Sequence, residues 1–358
     1  MSTFETVKWV LDTRSLWPEA KETKQLVHEA SRAMALLTAG ERANVLRYYF
    51  VRDAKMALGS ALLKRLAIAR LARVSWRESA RWRRESRSGK PIFCKAKSGA
   101  AADDDDGDDD DVDDDDGGNK FVLDLADAAA PHDQGASPTW RGCSEDEPLV
   151  FNVSHQAGVV VVVAIAHAPP GTALGLDIVC PLERRARDVG ILTNPDHDVS
   201  ALGQGSEQRP GHKDGWPTFI AIHDSVLSPL ETARLRQLSA ATHGPNRRLA
   251  YFYALWCLRE AFVKMTGEAL LAPWLHLLEM RHFAPPDEAD APELEVWFQG
   301  TRATDVQMKL EELLHDYMVS VAVRWGQTAE PDLYARIEQP WTHLDMEAVL
   351  AEAQAAAE

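Results

Sequence analysis

An aspartate sits inside an apolar run, Gly175-Leu176-Asp177-Ile178-Val179. A carboxylate buried there is costly unless it is paired with a cation or bound to a metal. Strand alternation puts Leu174, Leu176 and Ile178 on one face and Gly175, Asp177 and Val179 on the other. Further on, Trp256, Glu260 and Lys264 fall at i, i+4 and i+8, so a helix there presents all three along one face. An ordinary surface ion pair accounts for Glu260 and Lys264, at a few tenths of a kcal/mol. It leaves Asp177 unexplained. Two more segments carry chemistry-bearing residues: Gly89-Lys90-Pro91, and Phe151-Asn152-Val153-Ser154-His155-Gln156. Each is weak alone, since Gly-Lys-Pro is a common loop tripeptide and a Ser-His pair at a strand end is more often structural than catalytic.

The elements that must position these residues follow from hydrophobic periodicity. A strand is predicted at Thr6–Leu11, and helical spacing runs from about Glu19 to Leu37. A long helical region extends from about Glu41 to Arg73, with a basic face that includes Arg42, Arg47, Arg52, Lys55, Lys64 and Arg65. Strands are expected at Leu149–Val153 and Gly158–Ala166, around a polar turn Ser154-His155-Gln156-Ala157, and again at Ala173–Val179. Helices follow at Pro229–Leu238 and Arg247–Thr266, then β-like runs at Leu275–His282, Leu294–Phe298 and Tyr317–Trp325. Residues 345–358 read as a helix or a tail.

Of the 358 residues, 45% are hydrophobic, enough for a substantial core. The net charge of −16 is mostly local, because 12 aspartates fall within residues 103–116 and removing them leaves −4. The tract 98–118 has almost nothing apolar to bury and reads as a disordered insertion. Residues 191–217 read as a second loop insertion. Cys94, Cys143, Cys180 and Cys257 show neither metal-site nor disulfide-framework spacing. The longest apolar run is too short to span a bilayer, and the first residues carry no basic-then-apolar leader, so a cytoplasmic location is expected.

The order and spacing of the four segments resemble the Sfp-type 4′-phosphopantetheinyl transferases, which carry G-K-P, F-N-x-S-H, G-[IV]-D-[IV]-E and W-x-x-K-E-x-x-x-K. The stretch from Arg259 to Leu271 looks most like the broad-range fungal branch. The resemblance implies an α+β fold of two similar halves in a pseudo-twofold arrangement, residues 1–171 and 172–344, with the active site in the cleft between them. It implies transfer of phosphopantetheine from coenzyme A to a carrier-protein serine, releasing 3′,5′-ADP. Fatty-acid, polyketide, nonribosomal-peptide and lysine-pathway carriers are all within the family's range. By the same resemblance, Asp177 and Glu260 hold Mg²⁺, and Lys264 holds the pyrophosphate. Either Lys264 or Glu260 takes the serine proton. Lys90, Ser154 and His155 contact coenzyme A phosphates, with Arg42, Arg47 and Arg52 as further phosphate contacts.

Two departures bear on the site. Val179 stands where bacterial relatives have a second acid, so a third protein oxygen must come from Gln156 or from water. Arg259 replaces the motif lysine, a change expected to be tolerated. The competing reading is a nucleic-acid- or protein-binding module built on the basic segment Arg65–Arg87. The near-neutral remainder of the chain and the lack of a nucleic-acid motif weigh against it. A monomer that binds neither nucleic acid nor membrane is expected.

Overall fold

The computed structural model describes residues 5–84, 90–93, 149–169, 171–193, 214–268, 272–325 and 337–357. The acidic tract, Gly89, and the centre of the second expected insertion lie outside them. The principal strands are β1 (Glu5–Asp12), β2 (Leu149–Gln156), β3 (Val159–Ala166), β4 (Ala173–Val179), β5 (Leu278–Arg281), β6 (Glu295–Phe298), β7 (Val306–Leu313) and β8 (Tyr317–Arg324). The principal helices are α1 (Ala39–Leu46), α2 (Val51–Ala72), α3 (Pro181–Thr193), α4 (Trp216–Ile222), α5 (Pro229–Gln237), α6 (Pro245–Thr266) and α7 (Met346–Ala355). This is an α+β fold. Its described residues fall into two compact units, one drawn from Met1–Arg84, Pro91–Pro170 and Gln339–Glu358, the other from Glu85–Lys90 and Gly171–Glu338.

In the first unit, β1 pairs antiparallel with β3, and β3 with β2. The 22-residue α2 packs on this sheet through Leu58, Leu62, Leu66 and their neighbours. The C-terminal residues form a helix, not a tail. Asp345 caps α7 by accepting from the Glu347 and Ala348 amides at 2.9 and 3.2 Å, and Met346, Val349, Leu350 and Ala353 join the core.

Several local expectations are corrected here. The region read as one helix from Glu41 to Arg73 breaks at Phe50, whose extended backbone (φ −93°, ψ 132°) starts α2 afresh. The helical stretch at 19–37 is divided into short pieces, Leu26–Glu29 and Ser31–Ala35, by Ala30 (φ −108°, ψ 27°). Ser154, His155 and Gln156 lie within β2, not in a turn. The turn is only Ala157-Gly158, with φ of 46° and 87°, the two positive values that a tight two-residue hairpin requires. The basic helix face is divided: Arg47, Arg52, Arg70 and Arg73 are exposed, while Lys55, Lys64 and Arg65 are buried.

In the second unit, β8 lies between β7 and β4 in an antiparallel sheet, and the 22-residue α6 packs across β4 and β8. The sequence reading missed β7. Helix α3 runs through Thr193 and α4 begins at Trp216, so both ends of the expected 191–217 loop are helical. The run expected as a strand from Leu275 opens with a 3-10 turn, Leu275–Leu277, before β5. Between Leu249 and Met265, α6 is buried nearly all round. Trp256, Glu260 and Lys264 form the half-exposed stripe.

Candidate active site

The site is built where α6 crosses β4. Gly175 makes the close crossing possible, because a Cβ added there would lie 1.9 Å from the Ala261 carbonyl oxygen and 2.4 Å from the Met265 amide nitrogen. Two residues along the same strand face comes Asp177, with its side chain 9% exposed. One turn of α6 beyond Glu260 comes Lys264, and its Nζ donates to Asp177 Oδ1 at 2.8 Å. The structure thus gathers Asp177, Glu260 and Lys264 into one cluster, as the alternation on β4 and the spacing on α6 require.

Two carboxylates here face one ammonium. Burial raises the Glu260 pKa to about 7, the Asp177 charge adds to the rise, and Lys264 partly offsets it. In the protein alone, Glu260 therefore supports the fold below its ordinary value of 4.5, and that contribution is lost as pH rises through about 7. The loss amounts to about 3 kcal/mol between pH 4 and pH 9. Glu260→Gln is expected to remove this component of the pH dependence and to be the more stable protein at pH 9. Denaturant titrations of both proteins across pH check this; parallel profiles would contradict it.

Lys90 also joins this unit, donating from Nζ to the Met265 carbonyl at the end of α6. Cys257, fully buried on α6, reaches the Asp177 and Met318 carbonyls at 3.5 Å, and its thiol pKa is pushed well up by burial. Val179 is buried on the Asp177 face and adds no oxygen.

The remaining sequence-predicted site residues belong to the first unit. On β2, Asn152, Ser154 and Gln156 point to one face and Phe151, Val153 and His155 to the other, so the adjacent Ser154 and His155 diverge. Arg42 donates from Nη1 to the Leu37 carbonyl at 2.7 Å. Arg47 sits 5.8 Å from the Tyr48 ring. Arg52 lies 3.5 Å from Asp53 with over half its side chain exposed. Lys55, which the sequence did not single out, is buried, and burial followed by nearby Lys21 holds its pKa below the lysine range. Lys64 lies over Trp82, 3.8 Å from the ring centroid. Arg65 donates to the Leu36 carbonyl at 2.5 Å and to Glu41 at 3.2 Å. Both are used internally, while Arg70, Arg73, Arg77, Arg81 and Arg83 stay exposed.

Arg259 is no passive replacement for lysine. It is 1% exposed and donates to Glu231 at 2.7 Å, to the Leu278 carbonyl at 3.0 Å and to the Leu275 carbonyl at 2.7 Å. Glu231, equally buried, also accepts from the Ser228 and Met280 amides at 2.8 Å. The pair ties α6 to the start of α5 and to β5. Arg259→Ala is expected to cost about 3–5 kcal/mol, because it strands a buried carboxylate. Chemical denaturation measures it, and a loss under about 1 kcal/mol would mean the pair is incidental.

The sequence matches two family models and several relatives. Residues 206–322 match the model of the 4′-phosphopantetheinyl transferase superfamily, and residues 24–104 match the 4′-phosphopantetheinyl transferase N-terminal model. The first match takes in Glu260 and Lys264 but not Asp177. The chain is 41% identical to 4′-phosphopantetheinyl transferase 1 of Fusarium mangiferae, over 96% of this chain and 94% of the relative. It is 27% identical to a 4′-phosphopantetheinyl transferase of Aureobasidium melanogenum, over 95% and 94%, and 26% identical to the transferase NpgA of Emericella nidulans, over 89% and 82%. The chain belongs to the 4′-phosphopantetheinyl transferase family, whose members act on coenzyme A and carrier-protein domains. Among the described residues, no helix is long and apolar enough to cross a membrane.

Proposed function

We propose that this chain transfers phosphopantetheine from coenzyme A to a carrier-domain serine at the Asp177–Glu260–Lys264 cluster, with Mg²⁺ held by the two carboxylates. The observation that carries the reading is the cluster itself: a buried and a partly buried carboxylate against one lysine, with burial first and the Asp177 charge second raising the Glu260 pKa. Such a site gains from a cation. All-oxygen donors suit a hard one, and Mg²⁺ uses one or two carboxylates and completes its shell with water and phosphate oxygens. Gln156 or water supplies a further oxygen.

Mg²⁺ would neutralise charge on the pyrophosphate. The chain's own residues do the rest by positioning. Lys264 leaves Asp177 to engage the pyrophosphate, and Lys90, Ser154, His155, Arg47 and Arg52 remain candidates for phosphate contacts. The carrier serine Oγ bonds to the β-phosphorus as the bond to the 3′,5′-ADP oxygen breaks. The serine proton passes to Glu260, because Lys264 as an ammonium has no lone pair to accept it, and the electron pair leaves with 3′,5′-ADP. Fatty-acid, polyketide, nonribosomal-peptide and lysine-pathway carriers fit the reading, as does a cytoplasmic monomer. The test is 3′,5′-ADP release from coenzyme A. It should require both Mg²⁺ and an apo-carrier bearing its serine; release that ignores the carrier would indicate simple hydrolysis.

A further inference from the structure

The strand face that carries Asp177 holds a second polar residue, Ser320. It lies directly opposite Asp177 in the antiparallel register of β8 and β4, flanked by the pairs Met318–Val179 and Ala322–Gly175. Directly opposed residues have Cβ atoms about 4.5–5.5 Å apart and point to the same face. That face is covered by α6, where the Cys257 thiol reaches the carbonyls of both Asp177 and Met318. Ser320 is 0% exposed, and its Oγ is buried with no hydrogen-bond partner among the described residues.

A buried hydroxyl left unpaired is a cost that alanine would avoid. Ala322, the next residue on that face, shows that the smaller side chain fits beneath the helix. The hydroxyl therefore needs a partner in some other state of the site. Asp177 is the acceptor opposite, and Lys264 already donates to its Oδ1.

We infer that Ser320 is a positioning residue. When Lys264 turns to the phosphates, the Ser320 hydroxyl donates to the Asp177 carboxylate and holds it oriented toward the cation. This rests on the reading that Asp177 and Glu260 hold a divalent cation. Nothing in the sequence flags Ser320, because a serine within Val319-Ser320-Val321 reads as a tolerated small residue on a buried strand.

The test is titration of Mn²⁺ into the full chain in the presence of coenzyme A, with free Mn²⁺ read by electron paramagnetic resonance and corrected for coenzyme A alone. Wild type, Ser320→Ala, Ser320→Thr and Asp177→Asn are compared, with metal-free melting measured for each. Ser320→Ala should melt no lower than wild type yet bind Mn²⁺ roughly tenfold more weakly, as loss of a hydrogen bond to a charged group predicts. Ser320→Thr, which keeps the hydroxyl, should restore binding. Wild-type affinity in Ser320→Ala, with binding lost in Asp177→Asn, overturns the role of Ser320 and leaves the cation site standing. Equal binding by wild type and Asp177→Asn overturns the cation site, and the inference falls with it.

Discussion

Asp177→Ala is expected to lower phosphopantetheine transfer on the order of 10³-fold or more while the protein melts no lower than wild type. The variant removes the carboxylate that Lys264 holds and that sits against Glu260. Positioning and neutralisation of phosphate charge are nearly all that a protein contributes to phosphoryl-type transfer, so losing one charged anchor removes most of the rate. Stability should not suffer, because the substitution also relieves the repulsion that helps lift the Glu260 pKa. The same variant should therefore lower that pKa, which NMR or a stability profile across pH reads directly. Near-normal turnover would mean that the cluster is not the reactive centre.

Gly175→Ala is expected to be the most damaging single-methyl change in the second unit. The atoms its Cβ would meet are helix backbone, with the Ala261 oxygen at 1.9 Å, the Met265 nitrogen at 2.4 Å and the Met265 Cα at 2.9 Å. No side-chain rotation relieves such overlap, so α6 must lift off β4 at a cost of about 3 kcal/mol or more. Because α6 carries Glu260 and Lys264 while β4 carries Asp177, the shift also opens the cluster. A displacement near 1 Å at a reacting group costs about 10²-fold in rate. Thermal melting and turnover should fall together, and a variant that keeps both would show that the helix can retreat without consequence.

The cluster was legible because it rests on two periodicities that a sequence displays: alternation along β4, which isolates Asp177 among apolar residues, and the i, i+4, i+8 stripe on α6. Other features depend on contacts far apart in the chain. Arg259 looked like a mild lysine replacement, and only the fold brings Glu231 to it. Ser320 acquires its meaning from the register that sets it opposite Asp177. His155 was misplaced into a turn because Ala157 is not a residue that advertises positive φ, although Gly158 beside it is. Arg42 donates from Nη1 to the Leu37 carbonyl, a contact that its place on a basic face does not reveal. The break at Phe50 is hidden in the sequence because Leu46, Tyr49, Phe50 and Met56 fall at helical apolar spacings. Tyr49 and Phe50 are in fact largely exposed, 89% and 53%.

Loading of carrier domains at the Asp177–Glu260–Lys264 cluster is read most directly from the mass of an apo-carrier domain after incubation with coenzyme A and Mg²⁺, run side by side with wild type and Asp177→Ala. Wild type should convert the carrier to its phosphopantetheinylated form, while the variant, equally well folded, leaves it unmodified over the same interval. Equal conversion by the two proteins, or none by wild type with any family carrier, would contradict it.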